Sequence, residues 1–220
     1  MKYSEHNGFT LIELMVAMVI GSILMLAVVS AYQIQVRSKN TQEAITDMTS
    51  SARAALEIMI HELSTAGCDP DSTAGAGIVN AAANNLSFTM DIGNTAGTSF
   101  QPDGLLDGPN EQVRYAITAG GDLGRATGAG LLQPLVRNVD ALDFVYLDAN
   151  GIVTAALADI RSIQITILAR SGGAASGFTA RRVDNTVYTN QQGTVLFTAP
   201  GDSFLRLLLT TTVNCRNLGV

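Results

Sequence analysis

The sequence predicts an α+β protein, in which one long N-terminal helix is followed by an antiparallel β-sheet head. The first observation is an apolar run from Leu14 to Tyr32, followed by more polar sequence that keeps a helical spacing of apolar residues. The second is that neither proline nor glycine occurs between Gly21 and Gly67. The third is that the rest of the chain consists of short alternating segments separated by turn residues. One helix followed only by strands is typical of α+β folds.

The apolar run is long enough to cross a membrane. From Leu14 to Tyr32 only Gly21, Ser22 and Ser30 interrupt the aliphatic, Met, Ala and Tyr side chains. At ~1.5 Å per residue this run forms a helix of roughly 28 Å, close to the thickness of the hydrocarbon core. We therefore expect this part of the helix to lie in a membrane or in the core of an assembly.

One carboxylate, Glu13, stands at the start of the apolar run. A charge placed deep in hydrocarbon costs about 2.5–3.5 kcal/mol, so such a residue usually has a partner. A carboxylate and an ammonium group from another chain become tolerable there when they meet, and their contact would fix the register of the two chains. The alternative is a side chain at the membrane edge that reaches water.

The second half of the helix has one apolar face. Its members are spaced by three and four residues: Ile45, Met48, Ala52, Ala55, Met59, Leu63 and Ala66. We predict one continuous helix from about Phe9 to Ala66, roughly 85 Å long, whose second half packs this face on the head. Gly67 and Pro70 predict its end.

The charged residues beside this apolar face are expected to be solvated. They are Asp47, Arg53, Glu57, His61 and Glu62.

The head is predicted to consist of strands with no further helix. Residues 67–84 are predicted to form a loop, and the glycines at 120–124 are assigned to turns. Asn150-Gly151 predicts a tight hairpin turn, because both residues accept positive φ angles. Strands are predicted over residues 86–92, 112–118, 131–135, 141–148, 152–154, 159–170, 178–188 and 204–214.

The N-terminal sequence resembles a known processing signal. A short polar leader, the heptapeptide Gly-Phe-Thr-Leu-Ile-Glu-Leu at 8–14 and a long apolar helix are similar to the signal of type IV prepilins and type II secretion pseudopilins. The resemblance implies that prepilin peptidase cleaves between Gly8 and Phe9 and N-methylates the new amine of Phe9. It also implies that Glu13, the fifth residue after cleavage, pairs with the N-terminal amine of a neighbouring subunit.

Four segments of the remaining chain resemble PilW-like minor pilins. They are Thr65–Pro70, Asn138–Asp148, Arg161–Thr166 and Thr212–Leu218. The resemblance implies a pilin-like fold and a minor pilin that helps to initiate type IV pilus assembly. It divides the chain into a leader at 1–8, a helix at 9–66 whose first part, 9–32, is transmembrane, and a periplasmic β-rich head at 67–220.

The same resemblance implies the location and the partners of the protein. The expected location is the inner membrane, with a single span and the head in the periplasm, and later the pilus at the cell surface. The expected partners are prepilin peptidase, other minor and major pilins, and the inner-membrane pilus assembly platform.

Three alternatives to the minor pilin interpretation remain open at the sequence level. A minor pseudopilin of a type II secretion system carries the same N-terminal signal. A membrane-anchored periplasmic binding or adhesion module could use the same anchor. An ordinary signal peptide cleaved after Val29-Ser30-Ala31 is a third, although Glu13 would then lie in its apolar core and the helical pattern continues past Ala31.

The two cysteines, Cys68 and Cys215, lie just after the helix and in the last predicted strand. In an oxidising periplasm a disulfide between them would close a long loop, worth about 4–5 kcal/mol in the chain-entropy model. The alternative is two buried free thiols. Neither arrangement is the short C-terminal disulfide loop found in many major pilins, which favours a minor subunit.

Composition argues against several other functions. The net charge of −6, with 13 scattered Lys and Arg residues, argues against nucleic-acid binding. One histidine remains after leader removal, His61, so neither a zinc site nor a Ser-His-Asp triad is expected. Asp103, Asp107, Asn110 and Glu111 offer oxygen ligands for Ca²⁺ without the EF-hand spacing, so a solvated turn is the favoured interpretation. No enzyme activity and no cofactor are expected.

Overall fold

The computed structural model describes residues 8–93, 101–172 and 183–219. Its first element is α1 (Leu11–Thr65), a helix of 55 residues that confirms the predicted long N-terminal helix. It begins two residues after the predicted start at Phe9 and ends one residue before the predicted end at Ala66, with Ala66 as the C-cap and Gly67 next at a φ of 77°. This positive φ favours glycine, and a β-carbon there would also displace the end of the Leu218 side chain, 2.5 Å away.

The described part of the head consists of antiparallel strands in three sheets. Their orders are β1-β2-β3-β4-β5, β10-β7-β6 and β8-β9, and each neighbouring pair is antiparallel. The strands are β1 (Ile78–Ala82), β2 (Asn85–Thr89), β3 (Gln112–Ile117), β4 (Leu123–Thr127), β5 (Gln133–Val136), β6 (Val139–Leu147), β7 (Ser162–Arg170), β8 (Val187–Thr189), β9 (Val195–Thr198) and β10 (Arg206–Asn214). The α+β class with an antiparallel head is therefore confirmed.

Three strands differ from the sequence-based expectation. β1 lies in the predicted loop at 67–84, β4 begins within the predicted turns at 120–124 and continues to Thr127, and β9 has no predicted counterpart. β4 contains Gly124, whose added β-carbon would lie 2.9 Å from the β-carbon of Leu132. The glycine therefore allows the segment that leads into β5 to pack closely against β4. β1 offers only Ile78 and Val79 as strong strand formers and is held by pairing with β2.

Two further predictions for the head need correction. The strand predicted from residue 159 begins only at Ser162, because a short 3₁₀ turn occupies Leu157–Asp159. The turn at Asn150-Gly151 is present, with Gly151 at a φ of 75°, but the returning chain forms a single bridge from Val153 to Leu147 instead of a strand. The predicted strand at 178–188 lies partly outside the described residues, and its last two residues belong to β8.

The apolar face of α1 packs on the head over its C-terminal part. Five of the seven predicted residues, from Ala52 to Ala66, are buried. Met48 is half-buried, and the prediction is wrong for Ile45, which is 41% exposed because it precedes the buried stretch of the helix. The buried helix residues join a core formed with β2, β3, β6 and β7.

Glu62 is not solvated as the sequence analysis expects. Its carboxylate accepts hydrogen bonds from Arg125, with Nε at 3.0 Å, and from the hydroxyl of Tyr115. The Arg125 Nη2 atom lies 2.7 Å from Glu62 Oε1. Burial raises the pKa of Tyr115 far above its usual range, and the hydrogen bond to Glu62 raises it further. Tyr115 therefore stays a hydrogen-bond donor, and this contact fixes the end of α1 to β3 and β4.

Candidate functional site: the N-terminal processing and assembly motif

The predicted cleavage site lies in exposed backbone ahead of α1. Gly8, Phe9 and Thr10 precede the helix, and Phe9 is 89% exposed. A β-carbon added to Gly8 would meet no atom of the described residues within 4 Å, so nothing in that part of the structure requires glycine. Gly8 and Phe9 are thus both exposed and outside regular secondary structure, as a protease-accessible segment is.

Thr10 and Glu13 cap the start of α1. Thr10 is the N-cap residue, with φ −79° and ψ 152°. The backbone amide of Glu13 donates to Thr10 Oγ1 at 3.3 Å, and the backbone amide of Thr10 donates to Glu13 Oε2 at 2.9 Å. This reciprocal pair is a capping box, which satisfies two amides that the first turn leaves without partners. The Thr-x-x-Glu spacing is the sequence signature of this box, which the interpretation of Glu13 as a charge alone does not include.

The same contacts position the carboxylate of Glu13. Its Oε2 atom also accepts the hydroxyl of Thr10 at 2.8 Å, and the residue is exposed. The ion pairs formed among the described residues do not include Glu13. Neutral donors thus hold the carboxylate within about one helical turn of Phe9. It lies at the N-terminal end of the helix, where the helix dipole favours a negative charge. Because it is exposed, a cation from another chain can reach it.

The part of α1 that follows presents apolar side chains to its surroundings on all sides. It contains the candidate membrane span, the one helix within the described ranges that is long and apolar enough. The hydroxyl groups of its two serines form hydrogen bonds within the helix. Ser22 Oγ donates to the Val19 carbonyl at 2.7 Å, and Ser30 Oγ donates to the Leu26 carbonyl at 2.8 Å. These bonds leave no serine hydroxyl without a partner in hydrocarbon. The helix also continues through Gly21 without interruption.

Comparison with protein families identifies the N-terminal element. Residues 4–29 match the prokaryotic N-terminal methylation motif. The chain carries an N-terminal methylation motif. The match includes Gly8, Phe9 and Glu13 and most of the apolar run.

Two further comparisons concern the whole chain. A type IV-like pilin from Thermus thermophilus is similar in structure, with a TM-score of 0.48 and 18% sequence identity, over 78% of this chain and 98% of that pilin. No curated protein matches the sequence.

The carboxylates around the 103–111 loop bind backbone amides. Asp91, which is fully buried, accepts the amide of Gly104 at 2.9 Å. Glu111, also fully buried, accepts the amides of Gly93 at 3.0 Å and Gly108 at 2.6 Å. Within the described ranges no group of three acidic, histidine or cysteine residues is arranged to hold a metal ion. Glu111 is therefore a structural residue of this loop, and the sequence prediction of a solvated turn is wrong for it.

The two cysteines are free thiols in the structure. Cys68 is partly exposed, whereas Cys215 is 4% exposed. Cys215 belongs to the hydrophobic core and Cys68 packs against the same core. Burial raises the pKa of the Cys215 thiol to about 12. The disulfide between them stays a prediction.

The different surroundings of the thiols predict different reactivities. In the reduced, full-length protein at pH 8, we expect iodoacetamide to alkylate Cys68 at least about tenfold faster than Cys215, because only thiolates react and Cys215 is buried and protonated. Mass spectrometry of quenched samples measures both rates, and the two should become equal in urea. Equal rates in the folded protein would contradict the prediction. Protein isolated without reductant tests the disulfide, which would block both residues.

Proposed function

We propose that this protein is a PilW-like minor pilin that helps to initiate type IV pilus assembly and becomes part of the pilus. The observation that supports this most strongly is an exposed Gly8–Phe9 bond directly ahead of a capped helix of membrane-spanning length, within a methylation motif. The methylation motif implies processing by prepilin peptidase and assembly with other pilins. The role of the protein is structural and needs neither catalytic residues nor a cofactor.

The proposed location follows from the helix. The apolar part of α1 anchors the protein in the inner membrane as a single span, with the leader, residues 1–8, on the cytoplasmic side. The head, residues 67–220, then faces the periplasm. The pilus assembly platform extracts the processed protein into the base or tip of the pilus, so that the head reaches the cell surface.

Processing creates the charge that the assembly contact needs. Hydrolysis of the Gly8–Phe9 bond releases the leader with a carboxylate and leaves Phe9 with a free amine, which is then methylated and stays cationic. The Glu13 carboxylate is already fixed near the start of α1 by Thr10. When it meets the amine of a neighbouring subunit, two charges that are costly in hydrocarbon compensate each other. Subunits are therefore favoured to join in one register.

The experiment that tests the function is a clean deletion of the gene with complementation. Sheared surface pili and secreted exoproteins are scored in the same cultures. We expect the loss of pili with normal secretion, and restoration by the wild-type gene. Retained pili with lost secretion would contradict the minor pilin function and favour a minor pseudopilin of a type II secretion system. If neither process changed, the assembly function would be contradicted and an anchored accessory module would take its place.

A further inference from the structure

The last strand of the chain, β10, is an edge of its sheet. It pairs with β7 through nine consecutive antiparallel residue pairs, from Arg206 opposite Arg170 to Asn214 opposite Ser162, without a shift in register. In the three-stranded sheet order β10-β7-β6, no described strand lies on its other side. At nine residues, β10 is longer than an average strand, so this edge is long and regular.

The hydrogen bonds at both ends of β10 show which backbone groups face outward. The Cys215 amide donates to the Arg161 carbonyl at 2.9 Å, and the Ser171 amide donates to the Leu205 carbonyl at 2.8 Å. Because hydrogen-bonded pairs alternate along an antiparallel ladder, the odd-numbered residues from 205 to 215 bond to the β7 side. The even-numbered residues therefore direct their amides and carbonyls away from β7.

These outward groups belong to Leu208, Thr210, Thr212 and Asn214, and each of these residues is exposed. None of the backbone hydrogen bonds among the described residues involves their amides or carbonyls. The odd-numbered residues of β10, in contrast, lie on the face that α1 covers, and Val213 is 3% exposed. The helix therefore covers one face of β10 and leaves its edge open.

The side chains of β10 lack the features that usually block an edge. From 207 to 213 the sequence is Leu-Leu-Leu-Thr-Thr-Thr-Val, with no charge, proline or glycine. Soluble proteins normally interrupt such edges with lysine, proline or a bulge, because an open ladder recruits other strands. The composition also has high strand propensity.

Other edges in the described part of the head do carry such features. β5 contains Pro134, which has no amide hydrogen. β1 is interrupted by a register shift between Ile78 and Asn80. The outer side of β6 is occupied, because the Phe144 amide donates to the Ala83 carbonyl at 2.7 Å. The open edge of β10 thus stands out against edges that are short, bulged or covered.

We infer that β10 binds an extended, uncharged segment of a second protein, which adds to the sheet as a further strand. The amides and carbonyls of Leu208, Thr210, Thr212 and Asn214 would pair with the partner's backbone, and the exposed side chains would select its apolar or Thr-rich residues. A second copy of this chain would need a two-fold axis that also keeps both α1 helices in one membrane, a restriction that a different protein does not have. The inference rests on the sheet edge and not on the assembly role of Glu13.

The test uses the full-length protein in detergent micelles and a capped, uncharged peptide with the sequence of β7 from Ser162 to Ala169, Ser-Ile-Gln-Ile-Thr-Ile-Leu-Ala. This peptide is a suitable probe because the same sequence pairs with the inner edge of β10 in the folded chain. Hydrogen exchange is measured amide by amide with and without peptide. We expect the amides of Leu208, Thr210 and Thr212 to exchange at least tenfold more slowly with peptide. The amides of Leu209 and Thr211 should change less than twofold, because they already bond to β7.

Matched variants separate edge pairing from other binding. Thr210→Pro removes one outward amide, and Thr210→Lys keeps the backbone but adds a charge at the edge. Both should weaken peptide binding at least tenfold by fluorescence anisotropy, whereas Val79→Lys, at the exposed position of β1, should leave it unchanged. A control peptide with proline at the positions of Ile165 and Thr166 should not bind.

Three results would overturn the inference. The first is no peptide binding, or equal binding of the proline peptide. The second is protection that does not alternate along β10. The third is alternating protection that grows with protein concentration without peptide, because a second copy would then be the occupant. The deletion phenotype does not enter these readouts, so failure here and failure of the pilin function are distinguishable.

Discussion

Replacing Glu13 by glutamine is expected to reduce incorporation of the protein into pili at least tenfold, while cleavage at the Gly8–Phe9 bond continues. Glutamine keeps an oxygen that can accept the Thr10 amide, so the helix cap is retained. It removes the charge, so the amine of a neighbouring subunit loses the carboxylate that makes it tolerable in hydrocarbon. Immunoblots of sheared pili and of membranes from the complemented deletion strain measure incorporation and processing.

The matched control for this prediction is Thr10→Ala. It removes the hydroxyl of the capping box and retains the charge of Glu13, so it separates the two roles that the carboxylate has in the structure. We expect a local loss of helix stability of about 1 kcal/mol and near-normal incorporation. Normal incorporation of Glu13→Gln would contradict the register contact. Equal defects in both variants would show that the cap, and not the charge, is what assembly requires.

The N-terminal part could be predicted from sequence because its signals are local. The apolar run, the lone carboxylate of Glu13 and the uninterrupted helical spacing up to Gly67 all lie within one continuous element. The capping box was equally visible, since Thr10 and Glu13 are three residues apart. An interpretation of Glu13 as a charge alone does not include this box, because the same carboxylate is also the hydrogen-bond acceptor for the turn beside it.

The head was predicted less completely because its decisive contacts are distant in sequence. Glu62 is predicted to be solvated, but its partner Arg125 lies on β4, a strand that the sequence does not predict. Asp91 and Glu111 are buried only because a loop brings amides to them. In contrast, β6, β7 and β10 were predicted because strong strand formers fill them. The open edge of β10 could not be predicted, since it depends on the order of strands in the sheet.

The second large effect is expected at Arg206, whose side chain is 1% exposed. Its guanidinium binds three carboxylates: Nε lies 2.6 Å from Asp140, and Nη1 lies 2.9 Å from Asp184 and 2.7 Å from Asp202. Arg206→Met should lower the free energy of unfolding by about 3 kcal/mol, because it leaves these carboxylates close together without their shared cation. Urea unfolding of the full-length protein in micelles, followed by near-UV circular dichroism of the tyrosines, measures the change.

A control variant at an exposed ion pair and a series of unfolding measurements at low pH test whether lost charge compensation causes the deficit of Arg206→Met. Lys39→Met breaks the exposed pair with Glu43, 3.5 Å apart, and should cost less than about 0.5 kcal/mol.

Burial alone would raise the pKa of Asp184, but hydrogen bonds from Thr186, Arg206 and Tyr188 outweigh it and hold the pKa at about 2. A depressed carboxyl pKa adds stability above the unfolded value of about 4, and this is lost as the pH falls towards 2. The deficit of Arg206→Met should therefore shrink between pH 4 and pH 2, and a deficit that stayed constant would assign it to lost packing on Phe197 instead.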